Sequence, residues 1–358
     1  MKKVYLLSAF LLACCLSCSK DDGLDPEPPV VVPEPEPDPD PDPEPIVWKN
    51  YISYLDIVKD SVWADGKGET FLVKNSSFSA YVIKDSYRLK DGIYPGLVVD
   101  VNPDRIPTLK PVPNVEYNPI TFGSWPFVGA VTTEHPAESM CTEMKEKVLA
   151  SSGQINSFSS SSGRDYHSAK ELYMLFAAEG IRMDSIMNGR KYSTLEMKEK
   201  HGVLYNFKYT AFTIDMDLPQ NGQLLKKDPE DYTSLKYVNS ISYGVIGCMT
   251  IESDSTCSSI KALVNKVKDG EELTEAEKTL VRNLHVRTAL FNAGGGNGTF
   301  SDEIGPVLQA TQGMIREFFH PGDLRPHIGM LDIHFANYND HGVDDVILRI
   351  DAPVSSKE

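Results

Sequence analysis

The sequence contains few cysteines, few tryptophans and no long hydrophobic run, and it lacks the common catalytic motifs. Its 358 residues include six Cys and three Trp, and its N-terminal apolar run, Val4 to Leu16, is too short to cross a bilayer as a helix. The motifs G-x-S-x-G, H-E-x-x-H and the P-loop are absent. A net charge of −16 disfavours nucleic acid as a partner, because phosphate binding needs a basic surface. The sequence therefore predicts a protein that is not an enzyme, uses no cofactor and binds no nucleic acid.

The N-terminus has the features of a lipoprotein signal peptide. Lys2 and Lys3 precede the apolar run, and Ser17 is a small residue immediately before Cys18. This pattern predicts a signal peptide over residues 1–17 and acylation of Cys18, with Cys14 as the alternative lipid site and an ordinary cleaved signal as the alternative processing. Cys18 followed by Ser-Lys-Asp-Asp resembles the lipoproteins of Bacteroidetes. That resemblance implies an outer-membrane anchor at the cell surface of a Gram-negative bacterium, with release as a second alternative.

An acidic, proline-rich stalk follows over residues 18–45. Ten prolines and ten acidic residues lie between Asp21 and Pro45, with Pro-Glu and Pro-Asp alternating towards the end. Such a segment buries no apolar surface, and proline favours an extended polyproline II conformation. The sequence therefore predicts a solvated spacer that carries a globular region over residues 46–358.

Few cysteines follow the lipid site, and two of them allow two interpretations. Cys141, Cys248 and Cys257 are the only ones, an odd number for an oxidising compartment. Cys248 and Cys257 lie nine residues apart, where a strand-like run meets a helix-like run. A disulfide between them and a pair of buried free thiols are both consistent with this spacing.

The globular region mixes strand and helix patterns in an order that disfavours a parallel, doubly wound sheet. Long runs rich in β-branched and aromatic residues alternate with clusters of helices, which predicts an α+β fold with a long, bent antiparallel sheet. The predicted strands are Ser79–Ile83, Leu97–Val101, Leu204–Met216, Val238–Glu252, Val286–Phe291, Ile328–Asn337 and Val346–Ile350. The predicted helices are Ser139–Ala150, Ala169–Gly180, Ile260–Val267, Glu275–Leu284 and Ile304–Phe319.

Five motifs in this region resemble, in order, those of the thiol-activated (cholesterol-dependent) cytolysins. The first is the Tyr-Pro-Gly passage of Ile93 to Asn102 with the Arg-x-Pro-Thr-Leu that follows it. The others are the run Tyr205 to Leu218, the strand Val238 to Gly244, the glycine-rich Leu290 to Gly296 and the run Met330 to Ile350. Together they cover about Ser79 to Ile350. The chain is on this basis identified as a short member of that family.

The resemblance implies an elongated body and a mechanism of membrane insertion. In this family two helical clusters beside a bent sheet refold into two amphipathic β-hairpins, and many subunits close a barrel. By position the clusters are His167 to Lys200 and Ser253 to His285, within a pore-forming region of about 139–320 supported by 46–138 and 321–358. The implied partners are a target lipid membrane and either further copies of the chain or a fuller-length homologue.

The first cluster has a clean alternating pattern that fits a membrane strand. Each transmembrane strand needs ~9–11 residues with apolar side chains on the lipid side. The candidate inserting residues recur at period two and also fit the apolar stripe of an amphipathic helix; they are Leu172, Met174, Phe176, Ala178 and Gly180. A soluble helix and a membrane strand are therefore both encoded here.

The second cluster fits a soluble helix pair better than a hairpin. Its candidate inserting residues are Ile260, Ala262 and Val264, but Lys266 and Lys268 continue the same period-two face. Thr274 to Glu277 has the sequence of a capping box, which is typical of a helix start. A charged residue facing lipid at mid-membrane costs ~2–4 kcal/mol, so the pattern disfavours autonomous insertion.

Two glycine motifs are candidate hinges. Tyr243 and Gly244 match the family's Tyr-Gly-Arg strand, although Val245 stands where the arginine would be. In the family, a glycine pair corresponding to the Gly294, Gly295 and Gly296 run lets the sheet straighten during assembly. An ordinary flexible turn between a strand and a helix is the alternative for this run.

The end of the chain departs from the family. The sequence stops at Glu358, where the family's C-terminal sterol-binding domain would begin, and Trp48, Trp63 and Trp125 are all N-terminal. We therefore expect that domain to be absent and cholesterol binding, although implied by the family, to be doubtful. The alternative function is a non-lytic surface lipoprotein that uses the same scaffold for binding or adhesion.

Two further patterns have structural interpretations. His320, His327, His334 and His341 recur every seven residues, but an extended chain would spread them over several tens of ångströms, so no metal site is predicted. The Asn-Asp-His-Gly sequence after Asn337 predicts a hairpin turn between two strands.

Overall fold

The structure is a computed structural model in which the chain forms two units, Met1–Asp42 and Pro43–Glu358. Only the second unit contains described residues. They are 57–62, 68–75, 77–79, 92–101, 110–124, 128–151, 157–160, 163–178, 197–219, 221–229, 233–291, 308–343 and 345–353. The predicted signal peptide, Cys18 and the stalk lie outside these ranges and stay predictions.

Two long antiparallel strands form the centre of the fold. Strand β10 (His201–Asp217) pairs with β11 (Leu235–Ser253) from His201 opposite Ser253 to Asp215 opposite Ser240. Their length follows from the sequence, because β11 is an almost continuous run of apolar and β-branched residues and is buried along most of its length. The predicted central strand Val238–Glu252 is confirmed and extends three residues further towards the N-terminus.

Within the described residues, the sheet around this pair has eleven strands. Its main path runs β3–β13–β11–β10–β6–β7; β12 and β4 also pair with β11, β8 and β9 also pair with β10, and β5 pairs with β4. A separate three-stranded sheet has the order β1–β2–β14. The remaining strands are β1 (Ile57–Val62), β2 (Gly68–Asn75), β3 (Ser77–Ser79), β4 (Val98–Asp100), β5 (Lys110–Pro111), β6 (Ile120–Ser124), β7 (Val128–Thr133), β8 (Ser157–Ser160), β9 (Arg164–Tyr166), β12 (His285–Phe291), β13 (Gly329–Asn337) and β14 (Val346–Pro353).

The described residues include five α-helices, each overlapping a predicted one. They are α1 (Glu138–Ala150), α2 (Ala169–Ala178), α3 (Cys257–Asp269), α4 (Glu275–Arg282) and α5 (Leu308–Phe319). Helix α3 ends at Gly270, whose φ of 74° is the left-handed conformation that glycine adopts without strain. The α+β class with a long antiparallel sheet is confirmed.

The hairpin predicted after Asn337 is wrong beyond its turn. The turn itself forms, with the Asn337 amide donating to the Gly342 carbonyl at 2.9 Å and an antiparallel bridge between Ala336 and Val343. Strand β13 then pairs with β11 and β3, whereas β14 pairs with β2 in the other sheet. Local turn chemistry therefore reverses the chain, but long-range pairing sends the two strands to different sheets.

The two faces of the central strands contact different cores. Leu204, Ile246 and Cys248 belong to one buried cluster, whereas their neighbours Val203, Val245 and Met249 belong to another. Successive residues of a strand point to opposite faces, so these clusters lie on opposite sides of the sheet. Helices α1 and α2 pack into the first cluster, and α3, α4 and α5 into the second.

Candidate functional site at one end of the sheet

Four strands are in register at one end of the sheet, in the order β9–β10–β11–β12. Gly202 of β10 lies opposite Tyr166 of β9 on one side and opposite Glu252 of β11 on the other. Glu252 in turn lies opposite His285 of β12. The residue row Tyr166, Gly202, Glu252 and His285 therefore crosses four adjacent antiparallel strands.

This row marks where both helical segments leave the sheet and return to it. The first segment, residues 167–200, connects β9 to β10, and the second segment, residues 254–284, connects β11 to β12. Each segment therefore links two strands that are already antiparallel neighbours. If either segment became extended, it would continue two existing strands without changing the strand order.

Helix α2, in the first segment, is buried on all sides over residues 172–176. Leu172, Met174 and Phe176 are at most 1 % exposed, and the intervening Tyr173 and Leu175 are at most 3 % exposed. Residues 172–176 can pack on every side because none of them is charged, whereas Lys170 and Glu171 in the first turn are half-buried and exposed, respectively. Ala178 is the last helical residue, while its side chain and Gly180 lie outside what the structure describes.

Helices α3 and α4, in the second segment, are amphipathic. Ile260, Leu263, Val264 and Val267 are buried, in the spacing of one helix face, whereas Ala262 is exposed. The three candidate inserting residues of this segment therefore do not share one face in the folded helix.

Local polar contacts define the ends of these helices and join them. The Thr274 hydroxyl accepts from the Glu277 amide at 3.3 Å, and the Glu277 carboxylate accepts from the Thr274 amide at 2.8 Å, so the predicted capping box is present. Lys266 of α3 also donates to Glu277 at 2.6 Å. The hydrogen bond from Lys266, followed by those from Thr274, lowers the pKa of Glu277 to about 2.

A buried polar network lies beneath the residue row. The Arg287 Nη1 donates to Glu252 Oε1 at 3.2 Å, and both side chains are at most 10 % exposed. The Tyr166 hydroxyl donates to the same oxygen at 3.1 Å, and the Lys198 amide donates to Glu252 Oε2 at 2.6 Å. Burial, followed by the nearby Glu252 charge, raises the pKa of Tyr166 well above its ordinary value, so its hydroxyl stays protonated. A buried charge with this many donors holds β9, β11 and β12 together.

The two helical segments are also joined to each other at this end. Lys198 and Glu199 lie just before the first segment returns to β10. Lys198 contacts Glu252, which precedes the second segment, and Glu199 Oε1 lies 2.9 Å from His285 Nε2, where the second segment ends. Displacing the first segment from the sheet would therefore disturb contacts of the two strands that flank the second segment.

Comparison of the sequence with protein-family models and with curated proteins found no match. Comparison of the structure with solved structures found the human-specific toxin intermedilysin, at a TM-score of 0.52 and 16% identity over 82% of this chain and 67% of that one. A non-hemolytic pneumolysin from Streptococcus pneumoniae matches at a TM-score of 0.53 and 16% identity, over 83% and 67%. The cytotoxin suilysin from Streptococcus suis matches at a TM-score of 0.52 and 13% identity, over 82% and 68%.

The fold is that of the cholesterol-dependent cytolysins. Identity this low shows the fold alone; two of the neighbours named, intermedilysin and suilysin, are described as toxins. Among the residues that the structure describes, no helix has the length and hydropathy needed to cross a membrane.

One candidate hinge of the cytolysin fold lies at a pair of bulges in the central sheet. Strand β10 shifts register between Thr210 and Phe212, opposite Tyr243 and Gly244. Strand β13 shifts between Asp332 and Met330, opposite Ser242 and Tyr243. A bulge bends its strand and increases the local twist. A Cβ on Gly244 would overlap the Tyr209 carbonyl oxygen, so only glycine permits this approach.

Tyr243 adds a ring contact at the same place. Its ring stacks on that of Phe212, with centroids 4.8 Å apart and an interplanar angle of 7°. The hinge function of these residues stays a prediction. Gly294, Gly295 and Gly296 lie outside the described residues.

Cys248 and Cys257 are buried in the cytolysin fold, and no disulfide joins these two described residues. Cys248 packs in the cluster that contains α2, whereas Cys257 packs in the cluster that contains α3. The sheet separates them, which favours the thiol alternative over the disulfide. Sequence spacing could not distinguish the two, because it does not report which face each side chain occupies.

Sequence analysis missed two groups of polar residues at the sheet end. One is the Glu252–Arg287 network, and the other is formed by His167, His201 and Cys257, whose ligand atoms all lie within 4.8 Å of one another. The position of Glu252 within an apolar strand was a usable signal for the first. The second joins residues up to 90 positions apart and has no local signal. Of the described residues, none of the four histidines spaced by seven is in such a group.

Proposed function

We propose that the protein is a pore-forming protein of the cytolysin type, in which the two helical segments refold into β-hairpins that insert into a target membrane. One observation carries the proposal: each segment connects two antiparallel neighbours at the same end of one sheet. Refolding would extend four adjacent strands in their present order. In lipid, every backbone polar group of such strands must be paired, which closure of a barrel by many copies provides.

The first segment supports the proposal through its composition. Leu172, Met174 and Phe176 leave one apolar environment, the protein core, for another, the acyl chains. The hydrophobic cost of releasing them is therefore small when a membrane is present and large when it is absent. This difference would keep the segment folded in solution.

The second segment supports a role for a partner. Lys266 and Lys268 follow Ile260 and Val264 at period two, and each would cost ~2–4 kcal/mol at the centre of a bilayer. We propose that this segment inserts beside neighbouring subunits, either further copies or a fuller-length homologue that also supplies membrane recognition. Acylation at Cys18 would keep the protein on the outer membrane, at the cell surface, until it assembles or is released.

An engineered disulfide between the second segment and the sheet, called the lock below, tests the refolding step. Cys257 Sγ lies within 4.8 Å of a ring nitrogen of His201, so His201→Cys places a second thiol beside it. Continuing the ladder from His201 opposite Ser253 would bring residue 257 opposite residue 197, so a 201–257 disulfide forbids that register. We expect vesicle leakage to be lost on oxidation and restored by a reductant.

The matched control is the double variant His201→Cys, Cys257→Ser, which cannot form the bond and should leak under both conditions. Each protein is added to dye-loaded vesicles with and without the fuller-length homologue and imaged by negative stain. An absence of leakage and of ring-shaped oligomers under every condition would contradict the proposal.

A non-lytic surface lipoprotein is the second candidate function. The observation that favours it is the well-capped, ion-paired second segment, which is stable as a soluble helix pair. Under this candidate, the oxidised lock would leave binding to the target surface unchanged. Leakage that disappears with oxidation would exclude it.

A further inference from the structure

Three potential metal ligands meet where the two helical segments begin. His167 lies just before α2, Cys257 is the first residue of α3, and His201 is the first residue of β10, which lies between them. The Nδ1 atoms of His167 and His201 are 3.2 Å apart, and their rings pack edge to face with centroids 5.3 Å apart. All three ligand atoms lie within 4.8 Å of one another.

The spacing and the donor types fit a borderline transition metal. Zn–N distances of ~2.0–2.1 Å place two nitrogen ligands of a tetrahedral ion ~3.3–3.4 Å apart, close to the separation of the two Nδ1 atoms. Thiolate and imidazole are the ligands that zinc takes most often, whereas calcium and magnesium take oxygen. Cys257 is buried, His201 is half-buried and His167 is exposed, so an ion can reach the three residues from solvent.

We propose that His167, His201 and Cys257 bind a zinc ion, with the fourth position open to water. Zinc binding replaces the thiol proton of Cys257 with a Zn–S bond and releases that proton to solvent. Each imidazole coordinates through Nδ1 and keeps its proton on Nε2.

The surroundings of Cys257 are consistent with this chemistry. Its Sγ donates to the Gly202 carbonyl at 3.5 Å, a weak contact that the thiol gives up on binding metal. Burial raises the pKa of Cys257, so the thiol is protonated without metal, while a bound cation stabilises the thiolate. Asp165 and Lys261, an ion pair at 2.7 Å, are the charged groups that act on this thiol, and Glu171 accepts from the His167 amide at 2.6 Å.

The position of the ion would give it a regulatory effect, an extension that rests on the proposed function. A single zinc ion would join the start of the first segment, the start of the second segment and the strand between them. Binding to the folded state alone stabilises that state by mass action. Zinc would therefore keep both segments folded, and its removal would favour their release.

Zinc binding is measured on the purified full-length chain by competition with a chromophoric chelator, with cobalt as the spectroscopic probe. We expect one zinc per chain and, with cobalt, a thiolate-to-cobalt charge-transfer band in the near ultraviolet. Loss of one ligand should weaken binding on the order of 100-fold or more, since loss of an outer hydrogen-bond partner alone weakens it ~10–100-fold.

The ligand variants are His167→Ala, His201→Ala and Cys257→Ser, and the controls are Cys248→Ser and His320→Ala. His167 is exposed, so its variant should fold normally and keeps the test valid if the buried positions do not tolerate change. A simple hydrogen bond between the two histidines would give no stoichiometric binding and no charge-transfer band, which would overturn the site. Equal binding by Cys257→Ser would overturn it as well.

Vesicle leakage with and without a zinc chelator separates this site from the proposed function. Leakage that the chelator increases in the parent protein, but not in His167→Ala, supports the regulatory effect. Zinc binding without leakage under any condition supports the zinc site and contradicts the proposed pore. Leakage without zinc binding supports the pore and contradicts the zinc site.

Discussion

The two helical segments occupy equivalent positions in the fold and have opposite chemistry. Both link antiparallel neighbours at the same end of the sheet, but α2 is buried all round on one face, while α3 and α4 present one buried stripe on the other face. Both segments have a capped helix start, with the Ser168 hydroxyl accepting from the Glu171 amide at 3.1 Å in the first, but the second also has an ion pair between its two helices. Two segments with equivalent topology can therefore differ in the free-energy cost of entering a membrane, because that cost depends on their side chains.

The largest expected effect comes from placing a charge in each segment. Met174→Lys buries a charge in a closed apolar core and should destabilise the protein by about 5 kcal/mol or more, since a buried ion without a partner costs several kcal/mol. Ala262→Lys, at an exposed position of α3, should change stability by less than ~0.5 kcal/mol. Urea denaturation of both variants measures this contrast. Equal destabilisation would contradict the difference in burial between the segments.

The polar network beneath both segments should give the next largest effect. Glu252→Gln removes the charge that neutralises Arg287 and should cost ~3–5 kcal/mol in the free energy of unfolding, the usual result of breaking a buried pair. Glu275→Gln, which breaks the exposed pair with Lys278, should shift the denaturant midpoint far less, because solvent screens an exposed ion pair. Denaturant midpoints of the two variants provide the comparison. A small loss for Glu252→Gln would show that water reaches the network.

The capping box should contribute a smaller amount and only to the second segment. Thr274→Ala removes the side-chain oxygen that accepts from the Glu277 amide and should cost ~1 kcal/mol. Thr279, whose hydroxyl donates within α4, is the matched control, and Thr279→Ala should have less effect. Hydrogen exchange should show the loss in α4 and leave α2 unchanged. A global loss of protection would mean that the second segment does not unfold separately.

The smallest effect should be a pH dependence confined to α3 and α4. The pKa of Glu277 is lowered to about 2 in the folded protein, so its contribution to stability is fully present above its ordinary value near 4.5. This contribution is lost as the pH falls from there towards 2. Protection of the α4 amides should therefore fall over this range more than that of the α2 amides. Glu277→Gln should remove the difference, and its persistence would assign the effect to another group.

Sequence patterns predicted the central strands and the helices, but they missed β1, β2, β6 and β7 as well as the shortest strands. Strands β10 and β11 and helices α1 to α5 have enough residues for their periodicity to be read, and all of them were predicted. Strands such as β5, β8 and β9 have two to four residues and exist because a long neighbour offers hydrogen bonds. A pattern that short carries no period, so tertiary pairing alone determines these strands.

The candidate site was predicted in its segments but not in its residues. Leu172 and Met174 stood out because they alternate, and their complete burial in α2 depends on a core assembled from distant parts of the chain. Glu252 and Arg287 come together only when β11 and β12 pair. His167, His201 and Cys257 likewise meet only through the register of the sheet, which no local pattern encodes.

The sequence by itself determined the α+β class, the long central strands, the helices of both segments and the capping box at Thr274. These follow from local periodicity and local hydrogen bonding, which act over a few residues. The tertiary structure alone decided which strands are neighbours, which face each thiol occupies, and that both segments leave the sheet at one end. The reason is that strand order and register depend on hydrogen bonds between residues far apart in the chain, and only the assembled sheet brings those residues together.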